Sequence, residues 1–135
     1  MAPKKPKRPK NKPHFKPKAL CKDPSPVLLA SVAAAVHYEP SRYHCPGPNG
    51  EHPLPRLKPG TPCPRKWSIA QAIIALKHSI NAGWVSDKWN EDFPRFVWYR
   101  DGDGTIYEAR SEVGTPYRYH AYPIEIFEVP KALHW

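Results

Sequence analysis

The sequence predicts an α+β fold: two short helices packed on a three-stranded antiparallel β-meander, preceded by a disordered basic tail. Three observations predict it. A capped segment with helical spacing of apolar residues runs over 69–82. After Phe96 the period changes to two, and strong turn signals divide the strands. The charge is concentrated at one end. The chain has 135 residues and a net charge of +9, with 21 Lys and Arg against 12 acids. Eight of those cations, and no acid, fall in the first 20 residues. The rest is close to neutral and long enough for one small domain with a modest core.

Residues 1–22 are the tail. PKKPKRPKNKPHFKPK offers almost no apolar surface, proline blocks helix interiors, and like charges repel, so the segment stays extended and solvated. Spaced cations displace counterions from phosphates without reading sequence. Lys4, Lys5, Lys7, Arg8, Lys10, Lys12, Lys16 and Lys18 are therefore the candidate nucleic-acid-binding residues. A purely solubilising tail is the plain alternative.

Residues 23–135 form the single small α+β domain. Ser25 suits an N-cap and Pro26 the first helical position, which starts a first helix in PVLLASVAAAV. Leu28, Val32 and Ala35 share its expected buried stripe. That run is too short to span a membrane. Residues 40–66 are proline-rich and read as a long irregular loop. Ser68 and Gln71 make a capping box for the second helix. Ile69, Ile73, Leu76 and Ile80 form its apolar face, and Gly83 supplies the left-handed cap. Residues 84–93 read as an irregular or short helical link. Strands at 96–100, 105–110 and 117–122 follow, separated by Asp101-Gly102-Asp103-Gly104 and by a turn around Gly114. Pro123 ends the third strand or marks it as an edge, and 124–129 extends as a further short strand.

Strand alternation partitions the sheet. Phe96, Trp98, Tyr107, Ala109, Tyr117, Tyr119 and Ala121 are expected toward the second helix. Val97, Tyr99, Ile106, Glu108, Arg110, Arg118, His120 and Tyr122 are expected on the other face. That face gathers the ingredients of metal-free RNA cleavage. Glu108 would take the 2′-hydroxyl proton, His120 would protonate the leaving oxygen, and Arg110 or Arg118 would stabilise the phosphorane. Cross-strand ion pairs on a solvated face are the ordinary alternative. The order of a helix, then a meander bearing Glu, Arg and His, resembles the barnase-type ribonucleases over about 69–122. The resemblance is one of layout, and the spacing of Glu108 to Arg110 is tighter than in that family. HCPGPNGE, RLKPGTPCPRKW, FPRFVWYRDGDGTIYEAR and YHAYPIE together resemble small uncharacterised proteins of actinobacteria and their phages. That resemblance implies an accessory role in a mobile element or its host and supplies no catalytic residue.

Three cysteines without a signal peptide suggest a reducing, cytoplasmic setting. Cys45, His52 and Cys63, with His44 beside Cys45, have zinc-ligand chemistry, but their spacing does not match the usual paired ligands. No cofactor is expected; a zinc ion pinning the loop would be structural. Walker, dinucleotide, nucleophile-elbow and His-Glu-x-x-His motifs are missing, which sets aside those enzyme classes. The sequence therefore supports a nucleic-acid-associated accessory protein, with a metal-independent ribonuclease or a phage or host protein-interaction factor as alternatives. No membrane partner is expected.

Overall fold

The computed structural model describes residues 18–39, 67–133 and 135. It is α+β, with two helices, a mixed four-stranded sheet and a small two-stranded one. Helix α1 (Pro26–Ala35) starts as expected, with Pro26 in the first turn and the Leu28 N–H donating to Ser25 Oγ at 3.4 Å. Its buried face is Leu29, Val32 and Ala33, whereas Leu28 is 47% exposed. The expected stripe was thus misplaced. A helix without a charged residue, and with Ser31 as its one polar side chain, has little contrast to orient it, so its packing partner decides.

Helix α2 (Ile69–Asn81) has the full capping box: Gln71 N–H donates to Ser68 Oγ (3.0 Å) and Ser68 N–H to Gln71 Oε1 (3.1 Å). Ala72, Leu76, Ser79 and Ile80 are buried, and Ile69 at the first turn is exposed. Ser79 satisfies its hydroxyl on the Ala75 carbonyl at 2.8 Å. Gly83 takes φ +84°, the left-handed conformation expected after the helix.

Strands β4 (Phe96–Arg100), β5 (Ile106–Glu112) and β6 (Thr115–Ile124) form the expected antiparallel meander. The first turn closes with the Asp101 N–H on the Thr105 carbonyl (2.8 Å), the Thr105 N–H on Asp103 Oδ1 (2.9 Å) and Gly104 at φ +89°. The sheet has a fourth strand that the sequence did not reveal. β1 (His37–Tyr38) pairs parallel with β6 through His37↔Arg118 and Tyr38↔Tyr119, giving the order β1-β6-β5-β4. Two residues carry no readable period. Pro123 is tolerated inside β6 because it lies beyond the stretch that β1 reaches.

Two further expectations are corrected. The 84–93 link is not helical: between its turns β2 (Trp89–Asn90) and β3 (Phe93–Pro94) pair with each other, and Val85 bridges Val97. Residues 126–128 form a 3₁₀ turn in place of a strand. Residues 19–21 join the folded unit as well. Leu20 bridges Ser86, Cys21 N–H donates to the Val85 carbonyl (2.9 Å), and Asp87 N–H to that of Ala19 (2.8 Å). The tail therefore gives way to the domain before residue 22.

Both helices lie on one face of the sheet. Leu29, Val32, Leu76 and Ile80 pack with Val85, Val97, Ala109 and Tyr119. Ile80 and Val97 are essentially fully buried, each contributing about 1.5–3 kcal/mol. Tyr119, buried in the same layer, donates its hydroxyl to the Pro94 carbonyl at 2.5 Å. Trp67, Ala72 and Tyr107 form a second cluster.

Candidate functional site

The face opposite the helices carries the ionisable side chains. For β5 and β6 the partition follows the sequence. Ile106, Glu108, Arg110, Arg118, His120 and Tyr122 share one face, and Ala109, Tyr119 and Ala121 pack toward the helices. For β4 the expected assignment is reversed. The register pairs Trp98 with Glu108 and Phe96 with Arg110, which puts Phe96 and Trp98 on the polar face. Val97 and Tyr99 turn toward α2 instead, where they help line a small apolar cavity with Leu76 and Tyr107. A one-residue slip in phase moves every side chain of a strand to the other face. Phe-Val-Trp-Tyr has no polar residue to fix that phase.

A first row runs Trp98, Glu108, Tyr122 across β4, β5 and β6, with Glu108 at its centre. Glu108 is 2% exposed and fully engaged: Lys18 Nζ reaches Oε1 at 2.7 Å, Trp98 Nε1 donates to the same oxygen at 3.2 Å, and the Tyr122 hydroxyl donates to Oε2. Burial, then the charge of Glu108 and its hydrogen bond, raise the Tyr122 hydroxyl pKa, so Tyr122 stays a donor. A buried carboxylate is tolerated only when paired and hydrogen-bonded. Lys18 also stands 4.1 Å from the centre of the Phe96 ring, which stacks on Trp98 at 6.4 Å and 24°. Lys18 was assigned to the phosphate-binding tail by composition; here it is the counter-ion of Glu108.

The second row runs Phe96, Arg110, His120 across β4, β5 and β6, each residue directly opposite the next. Arg95 joins it from the loop before β4. Its guanidinium donates to the Ser111 carbonyl at 2.5 Å, its own carbonyl accepts the Ser111 N–H at 3.0 Å, and the head lies 5.7 Å from the Phe96 ring. These bonds meet at the register shift between Ser111 and Glu112, a bulge that helps aim the neighbouring side chains. Arg95 is pushed below its ordinary pKa by burial and then by Arg110. His120 is pushed down chiefly by burial; Glu112 opposes this, while Arg110 and Arg95 reinforce it. Among the described residues neither Arg95 nor Arg110 has a carboxylate in ion-pair range.

Arg118 lies at the end of the face, bridged to Glu39 (3.3 Å) and Glu112 (3.6 Å); Glu112 also reaches His120 Nδ1 at 3.8 Å. The four residues expected for catalysis therefore share a face but separate into roles. Arg110 and His120 are neighbours, Arg118 is spanned by two carboxylates, and Glu108 is sealed beneath Lys18 and Tyr122. Arg95 and Glu112 are members of the face that the sequence reading does not name, and Lys18 takes a different place from the one expected. Arg95 and Lys18 are revealed only by position in the fold, whereas Glu112 continues the alternation of Glu108 and Arg110 two residues past the strand end expected at 110, a signal that could have found it. Cys45, His52 and Cys63, and the tail residues Lys4 to Lys16, lie outside the described residues. Among the described residues no cluster of three His, Cys, Asp or Glu side chains could hold a metal, and no helix is long and apolar enough to cross a membrane.

No family model, no curated protein and no solved structure matches the chain.

Proposed function

We propose that the protein binds nucleic acid through its phosphates, with Arg95, Arg110 and His120 forming the folded part of the site. One observation carries this reading. Arg110 and His120 stand directly opposite each other on β5 and β6, Arg95 joins them from the loop before β4, and neither arginine has a carboxylate in ion-pair range among the described residues. Such a cluster lowers its own repulsion by taking an anion. Residues 1–17 add seven Lys or Arg that supply sequence-independent attraction. Lys18 is excluded from that role because Glu108 already neutralises it. The test is fluorescence anisotropy of a labelled oligonucleotide with the full chain and with the R95A/R110A variant. Affinity at least about tenfold weaker in the variant supports the reading; an unchanged affinity, with the fold intact by circular dichroism, removes it.

A second reading, metal-independent RNA cleavage, is favoured by the direct pairing of Arg110 with His120. A largely neutral imidazole beside a phosphate-binding guanidinium is placed to accept the 2′-hydroxyl proton. The base would then be His120 and not Glu108, whose carboxylate is buried beneath three donors. RNA turnover in EDTA that disappears in H120A supports this; wild-type turnover equal to the buffer control removes it.

A further inference from the structure

We propose that the ligand this face selects is a single-stranded nucleic acid, with a phosphate on Arg110 and a base against the His120–Tyr122 ring pair. This narrows the phosphate-binding reading and rests on it. Arg110 and His120 stand on β5 and β6, the two interior strands of the order β1-β6-β5-β4. Duplexes are read by elements that project. A helix or a two-stranded ribbon enters the major groove of B-DNA, and the A-form major groove is too deep and narrow for side chains to read. Groups in the middle of a sheet have neighbouring strands on both sides, each about 4.8 Å away. They do not enter the major groove of an unbent duplex, and sheets that take up a duplex do so through a minor groove that they kink open, so the ligand that fits without such bending is one that lays itself on them.

An unstacked strand can do that, because each base exposes a face for an aromatic ring while the backbone runs past the cations. The rings are present. The His120 side chain is 32% exposed, and its ring lies 6.1 Å from that of Tyr122 with the planes at 45°. Arg110 is exposed and directly opposite His120, so phosphate and base positions are adjacent. Charge sets the direction of the strand. Glu112 lies beside both His120 and Arg118, which repels a backbone at that end and favours its path over Arg110 toward Arg95. Tyr122 is held by its hydrogen bond to Glu108, so half of the ring pair is fixed before any ligand arrives.

The tail pulls the other way. Acting alone it favours the duplex, the denser polyanion. A preference for single strands is therefore diagnostic of the face. The experiment measures anisotropy of short labelled RNA and DNA strands, alone and annealed to their complements, with the full chain at about 0.15 M salt. The expected result is binding of a single strand at least about tenfold tighter than its duplex, with the ratio collapsing to within about threefold in both R110A and H120A. Duplex binding equal to or tighter than single-strand binding by the wild type overturns the proposal, as does a ratio unchanged in both variants. Affinity for both forms unchanged in R110A, with the variant folded, overturns the phosphate-binding reading itself, whereas a weakened affinity with an unchanged ratio overturns only the proposal, which separates the two failures.

Discussion

Replacing Lys18 with alanine tests how the base of the tail is tied to the domain. Glu108 is 2% exposed and takes one charged donor, Lys18 at 2.7 Å, and two neutral ones, Trp98 and Tyr122. Removing a partner from a fully buried ion pair costs about 3–5 kcal/mol, because a desolvated charge is left behind. The Lys18 side chain is 34% exposed, so water screens part of the attraction, and water can enter the space it vacates. The discounted cost is about 1–3 kcal/mol. For a domain of this size that lowers Tm by roughly 4–20 °C. The assay is urea and thermal unfolding of wild type, K18A, E108Q and K18A/E108Q, with K16A as the tail control. The cycle should show a coupling of about 1 kcal/mol or more between Lys18 and Glu108. Because its charge is already spent on Glu108, Lys18 should also leave the salt dependence of nucleic-acid binding unchanged. K18A as stable as K16A, with no coupling to E108Q, would refute the reasoning.

Three further outcomes are expected. His120 titrates below its ordinary value in the folded protein, and a bound phosphate raises it again, so the complex holds more protons than the free chain. Affinity for a single strand should accordingly rise as pH falls from about 7 through 6, and the H120Q variant should be flat over that range. The same depressed pKa makes the unfolded chain the better proton acceptor: stability is full above about pH 6.5 and declines as pH falls from there through the lower folded value, and H120Q should blunt that decline in pH-dependent urea unfolding. Ser68→Ala removes one arm of the α2 capping box and should cost about 1 kcal/mol by urea unfolding, far more than Ala70→Ser on the exposed side of the same turn.

What was legible in the sequence follows contrast between neighbouring residues. α2 could be read to its ends because Ser68, Gln71 and Gly83 punctuate an amphipathic run. The faces of β5 and β6 could be read because Glu108, Arg110, Arg118 and His120 alternate with Ala109, Tyr119 and Ala121. β4 has four large apolar or aromatic residues in succession, and only its register with β5 sets which of them face the helices. α1 has the same ambiguity for the same reason. β1 is too short to carry a period, and its pairing with β6 spans the whole middle of the chain. Lys18 sits in a run of lysines that composition assigns to solvent, while its partner Glu108 lies 90 residues away. Arg95 is a single cation before a strand and becomes part of the site only through the Ser111 bulge and the Phe96 ring.

The central claim is that the folded face, and not the tail alone, holds phosphate. It is tested most directly by the slope of log K against log salt for a short single strand, measured with the wild type and with R110A. Loss of one phosphate contact should reduce the slope by about 0.7. A slope in R110A equal to that of the wild type, with the variant folded, would contradict the account and leave binding to the tail.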